Sequence, residues 1–260
     1  MTAPPKSRSY IFGTPIAWIA AYGALVAVTS LVPLVPYAGG GGYWPLATPL
    51  ASVAPLILGP IGGVISAFVG GIIGMFIAPP AYPLGIIDAF FVTCMPAIVV
   101  GLAFNTKKYW KVFLGLEILV TAVFYVVLFY YPGVSGGWPP VPIEMYMIAS
   151  LWYWLVPLAV LISPLGTKYI YNWSRSTDVK QRFIGIFLAG WMAMNAWYLT
   201  PSFWLYWILF EFPSALLYVM IWGIYTWYMP IFALVITFIT APITEALRRS
   251  GMAKPPDVLW

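Results

Sequence analysis

The chain has 260 residues, 62% of them hydrophobic and only 7% charged. A soluble domain carries about 25% charged residues, so this chain cannot solvate a globular surface of its own size and reads as a membrane protein. It has no histidine and one cysteine, Cys94, which excludes an intramolecular disulfide, the usual haem ligation and most zinc, copper and nickel sites.

The apolar runs are continuous and mostly about twenty residues long, the pattern of spanning helices rather than of the alternating strands of a barrel. Lys6 and Arg8 precede the first run, at 15–37. It exceeds the roughly 7–15 residues of a signal peptide's apolar region and lacks a clean cleavage site, so it is expected to be a retained span. Runs at 46–58, 61–78 and 86–104 follow, separated by "AGGGGYW", "GP" and "PPAYPLG". The second is short and contains Pro49 and Pro55. Next come 112–131 and 144–166, joined by "PGVSGGWPP". The last two, 183–200 and 226–247, are joined by an aromatic connector over 201–222, expected to be interfacial or re-entrant.

The basic residues fall in four clusters: Lys6/Arg8, Lys107/Lys108/Lys111, Lys168/Arg175/Lys180/Arg182 and Arg248/Arg249/Lys254. The positive-inside rule puts each in the cytoplasm, so an even number of crossings separates neighbouring clusters. This predicts an all-α, multi-pass protein of about eight spans, one integral domain over 1–260, with both termini cytoplasmic. The same parity makes 46–58 a short kinked span rather than a re-entrant loop. Glu245, three and four residues before Arg248 and Arg249, is expected to pair with them.

The third run, "LGPIGGVISAFVGGIIG", holds six glycines in seventeen residues. At helical spacing Gly59, Gly63, Ala67 and Gly71 form one row, and Gly62, Ser66, Gly70 and Gly74 form a second beside it. In lipid, helices associate by close packing, which small residues permit. This face predicts a very close neighbour, inside the chain in preference to another subunit. The first span has a milder version, with small-xxx-small pairs at Ala17/Ala21 and Ala20/Ala24; for these an internal or a subunit contact is equally open.

"ASVAPLILGPIGGVISAFVGGIIGMF", the alanine-rich "AWIAAYGA" and the closing "VITFITAPITEALRRSG" resemble the substrate-binding S components of energy-coupling factor (ECF) transporters. The resemblance covers about 15–104 and the C-terminal span. It implies a six-helix core, here with an extra hairpin, in a prokaryotic cytoplasmic membrane. It also implies capture of a vitamin-like micronutrient from outside, and docking of the first helix, through Ala17, Ala20, Ala21 and Ala24, onto a transmembrane coupling subunit that sits on ATPase subunits.

Candidate ligand residues combine aromatics with the few outer acids. Asp88, Glu144 and Glu211, with Trp44, Trp138 or Trp152 nearby, suit a cationic or nitrogen-rich ring held by stacking, cation–π contact and charge-assisted hydrogen bonds. Asp88 and Glu144 equally suit helix N-termini, and the tryptophans an interfacial belt. Asn195, inside the seventh span, either meets ligand or clamps two helices. Glu117 is an intramembrane carboxyl, a functional candidate by its cost, close enough to Lys111 to pair. The glycine loop at 39–42 is a lid or a slack connection.

No histidine base, cysteine–base pair, phosphate loop or acidic metal cluster appears, so no catalysis, metal or cofactor is expected of this chain. An organic substrate is favoured over a metal ion. The alternatives are a non-catalytic structural or accessory subunit of a larger membrane complex, and a self-contained secondary transporter.

Overall fold

A computed structural model of the chain describes residues 9–37, 41–130, 155–203, 224 and 226–260. A hairpin of β1 (Tyr10–Ile11) and β2 (Thr14–Pro15) leads into α1 (Ile16–Thr29). This helix is shorter than its apolar run. Pro33 and Pro36 cannot donate to a helical ladder, and the chain there is extended as β3 (Pro33–Pro36), paired antiparallel with β4 (Tyr43–Pro45). Then come α2 (Ala47–Leu58), α3 (Pro60–Ile77) and α4 (Ile86–Phe104), the last with a π-helical turn at Phe90–Cys94. The fifth helix, α5 (Thr106–Tyr130), kinks at Tyr109. A sixth, α6 over 155–174, bends at Ser163 and passes through a π-helical turn at Leu165–Ile170. The bundle closes with α7 (Val179–Phe203) and α8 (Thr226–Arg249). Among the described residues α3, α4 and α8 are long and apolar enough to cross a membrane. Most of the aromatic connector, from 204 on, lies outside the described residues.

The two small-residue rows of α3 serve two sides of the bundle. A Cβ at Gly62 would lie 2.8 Å from the Thr14 hydroxyl, one at Gly70 would lie 2.6 Å from Val26 Cβ, and one at Gly74 would lie 2.8 Å from the Tyr82 hydroxyl. Between them the Ser66 hydroxyl donates to the Ile19 carbonyl at 3.0 Å. This row therefore runs alongside α1, the two helices parallel. The other row meets α2 and α4. A Cβ at Gly63 would overlap the backbone of Ala54 and Pro55, and one at Gly71 would overlap Thr93 and lie 2.9 Å from the Ala89 carbonyl. Ala67 is buried among Val26, Ala47, Leu50, Ala51 and Ala97. The close neighbours that the glycines predict are thus three helices of the same chain.

All twelve residues of α2 are buried. At 1.5 Å per residue a helix of this length covers about 18 Å, little over half of a hydrocarbon core about 30 Å thick. It stops because Gly59, at φ 82°, turns the chain and Pro60 begins α3. Its last carbonyls have no helical donors, and distant parts of the chain supply them. The Leu259 N–H donates to Leu56 at 2.9 Å, the Trp260 indole N–H to Ile57 at 3.0 Å, and the Thr14 hydroxyl to Leu58. A Cβ at Gly59 would lie 2.8 Å from the Pro256 carbonyl, so the tail fits tightly over the break.

The basic clusters of α5, α6–α7 and α8 meet at this same end. Arg175 donates to the Phe104 carbonyl at 2.9 Å and to Asn105 at 2.8 Å. Glu245 pairs with Arg249 at 2.7 Å, as its spacing predicts, but its other oxygen takes Arg182 of α7 at 2.6 Å. Arg248 turns away from it, donating to the carbonyls of Arg175, Ser176 and Leu259 at 3.1–3.2 Å. Asp257 fastens the tail, accepting from Lys108 at 2.7 Å and from the Tyr109 hydroxyl at 2.6 Å. Burial alone would raise the Asp257 carboxyl, but these two hydrogen bonds, with the charges of Lys108 and Arg175, hold it below the usual carboxylate range.

Gly63→Ala is expected to cost about 1–3 kcal/mol by overpacking against α2. Gly115→Ala, where a Cβ meets nothing within 4 Å, should be neutral or stabilising by up to about 1 kcal/mol. Thermal unfolding of the two variants in detergent compares them, and equal melting temperatures would contradict the packing argument. The Asp257 latch has a pH signature. A depressed carboxylate stabilises its folded contacts above its ordinary value, about 3.9, and that contribution fades as the pH falls below it. Exchange at the Leu259 amide, corrected for intrinsic rates, should accelerate below about pH 4. In Asp257→Asn it should already be fast at neutral pH.

Candidate functional site

At the far end of the bundle the β3–β4 ribbon folds inward. Pro33 pairs with Pro45, and Pro36 with Tyr43. The ribbon aims Val35, Tyr37 and Trp44 into the core, where each is less than a tenth exposed. Trp44 is the centre of an aromatic cluster. Its ring stands edge-on to Tyr37 at 6.1 Å and to Trp197 of α7 at 5.0 Å, and it leans on Phe232 of α8 at 5.3 Å. Tilted and edge-to-face pairs of this kind add to the burial of apolar area. Trp44 therefore ties the ribbon to α7 and α8. The Tyr37 hydroxyl donates to the Ala81 carbonyl at 2.9 Å, and Tyr43 to the Ser30 carbonyl at 3.1 Å, which ties it to the loops as well. The ribbon spans the loop predicted as lid or connection; 38–40 lie outside the described residues.

Trp197 has a second role. In the π-helical turn of α4 the Met95 N–H donates to Phe90. The next donor in register would be Pro96, which has none. The Phe91 carbonyl is left without a helical partner, and the Trp197 indole N–H supplies one at 3.0 Å. π-helical turns of this sort recur at functional positions.

Beneath the aromatic cluster α2 presents small polar side chains to α7. The Ser52 hydroxyl donates to the Thr48 carbonyl at 2.9 Å and lies 3.9 Å from the Met194 sulfur. The Thr48 hydroxyl is fully buried and makes no hydrogen bond among the described residues. Asn195, next to Met194 on α7, is 2% exposed. The site is thus an aromatic box of Tyr37, Trp44, Trp197 and Phe232, with the Thr48 and Ser52 hydroxyls of α2 deeper in the bundle. Among the described residues there is no cluster of three or more metal-ligating side chains.

Of the predicted ligand residues, Trp44 and Asn195 are both buried. Asp88 is buried as well. It lies in the first turn of α4, and its carboxylate accepts the Leu84 N–H at 2.7 Å, closing the preceding loop. Trp138, Glu144, Trp152 and Glu211 lie outside the described residues. Glu117 is buried at 2% exposure, while Lys111 rests over Trp110, 5.6 Å from the ring centroid. Phe232, Thr48 and Ser52 carry no motif and were not predicted, and Trp197 reads in the sequence only as one more interfacial aromatic.

The second candidate surface is on α1. Ala17, Ala20, Ala21 and Ala24 are all exposed, on the side opposite Gly23, Val26 and Ser30, which face α3. Ala21, with Trp18, Tyr22 and Leu25, lines a groove of about 470 Å³ against Ile243 and Leu247 of α8. Comparison with protein-family models, curated proteins and solved structures finds no match to this chain.

Trp197→Phe keeps a ring beside Trp44 but leaves the partly buried Phe91 carbonyl without its indole donor. It should cost about 1–3 kcal/mol, read as a lowered melting temperature. Trp191→Phe, on the Phe187-facing side of the same helix, should cost less.

Proposed function

We propose that the chain is the substrate-binding membrane subunit of an ECF-type importer, in a prokaryotic cytoplasmic membrane. Eight passes, with the basic end and both termini in the cytoplasm, agree with the positive-inside rule and with the gathering of the described basic clusters at one end. The far end then faces outward, and the Trp44 box under its ribbon is where a small organic ring would be captured. The observation that carries the reading is the alanine face of α1. Its opposite side is locked onto α3, yet Ala17, Ala20, Ala21 and Ala24 stay uncovered. A face of small residues admits a partner helix at close range, which is what docking on a coupling subunit requires. ATP hydrolysis would belong to partner subunits, and this chain supplies no catalytic group.

The chain purified alone should retain a small organic molecule detectable by mass spectrometry, and Trp44→Ala should lose it. Ala20→Leu combined with Ala24→Leu should abolish both uptake and co-purification with a coupling subunit while leaving the retained molecule in place. Wild-type protein that is repeatedly empty, and that elutes only in a stoichiometric complex without ATPases, would make the chain an accessory subunit instead.

A further inference from the structure

Near the basic end, α3, α4 and α5 enclose a trough of about 420 Å³ walled by Pro60, Ile61, Val64, Ala97, Leu102 and Val112. Its α4 wall combines Ile98 and Leu102 with the small residues Ala97 and Gly101. Tyr109 lines its basic end. Together with Pro60 and Ile61, Tyr109 also lines a second cavity of about 330 Å³ that reaches Thr14, Pro256 and Asp257. The two cavities share walls, so the space is apolar along its length and polar at its mouth. That order of chemistry suits an amphiphile lying along the bundle with its head at the basic end.

The open side favours the same occupant. Two of its walls, α3 and α4, are apolar and long enough to cross a membrane, and the rim residues Ile61 and Val112 are 43% and 56% exposed. In a bilayer such a rim meets acyl chains. Three lysines, Lys107, Lys108 and Lys111, begin α5, and Asp257 neutralises Lys108. Lys107 lies over the Tyr171 ring, toward α6, at 5.5 Å. Lys111 immediately precedes Val112 of the trough wall. Among the described residues the start of α5 thus carries three lysines against the one Asp257 carboxylate that reaches them, a net positive charge beside the mouth that favours a net-negative headgroup over a zwitterionic one.

We propose that this trough holds one acyl chain of a glycerophospholipid with an anionic headgroup, its phosphate lying at the Lys108–Lys111 turn. The proposal rests on the membrane reading of the chain and is independent of substrate transport, so a chain that captures no micronutrient can still retain this lipid. The test uses the full chain, delipidated in detergent, with phosphatidylglycerol or phosphatidylcholine added back and retained lipid counted by native mass spectrometry. One phosphatidylglycerol should be kept in clear preference to phosphatidylcholine. Lys111→Gln should reduce that preference about fivefold, the share of one lysine near an anionic surface. Val112→Trp and Ile61→Trp, both at the exposed rim, should displace the lipid, and an unchanged melting temperature in either shows that the fold is intact. Equal retention of the two lipids by wild type, or a preference untouched by Lys111→Gln, would overturn the headgroup assignment. Phosphatidylglycerol retained undiminished in both tryptophan variants would overturn the trough as its seat.

Discussion

A helix that ends inside an apolar bundle must find donors for its last carbonyls, because neither lipid nor a packed core provides them. The C-terminal end of α2 sets this requirement, and the ends of the chain are arranged to meet it. Thr14 comes from the hairpin before α1, and Leu259 and Trp260 come from the tail after α8. The residues that hold the tail are recruited in turn. Asp257 reaches α5 through Lys108 and Tyr109, and Arg248 joins the tail to the α6–α7 turn. One break at Gly59–Pro60 therefore organises contacts among most helices of the bundle. The π-helical turn of α4 repeats the problem on a smaller scale, with Trp197 as its donor.

The same accounting explains why α3 needs its glycines. α2 is fully buried and must be surrounded on all sides, yet a bundle of this size has few helices to do it. A helix with two small-residue rows can contact α1 with one and α2 and α4 with the other, at distances that any Cβ would violate. Dispersion contacts fall off steeply with a gap of even half an ångström, so backbone-to-backbone approach is how such a core gains attraction in lipid, where water exclusion contributes nothing between helices.

The sequence makes the small-residue rows and most helix limits legible because they are local and periodic. The runs at 46–58, 61–78 and 86–104 return as α2, α3 and α4. The first run misleads, since hydropathy alone does not register that Pro33 and Pro36 end the helix and start a ribbon. Glu245 shows the general limit. Its bond to Arg249 follows from spacing, but its bond to Arg182 joins helices 63 residues apart and leaves no local mark. The aromatic box is of the second kind. Trp44, Trp197 and Phe232 come from three distant segments, and each alone is one aromatic among many. Asp88 suits either a ligand or a helix start in the sequence, and the structure adds its bond to the Leu84 amide, which no spacing announces.

The alanine face of α1 gains its meaning from what lies behind it. Association costs entropy in every side chain and segment that must be ordered, and alanine has no rotamers to lose. The helix that carries the face is itself held, by Gly23 and Val26 against Gly70, by Ser66 on the Ile19 carbonyl, and by Ser30 on Tyr82 at 2.7 Å. The alanines themselves would therefore have no side-chain freedom to lose if that face were covered. The glycines of α3 thus fix α1 from one side, and its alanines lie exposed on the other.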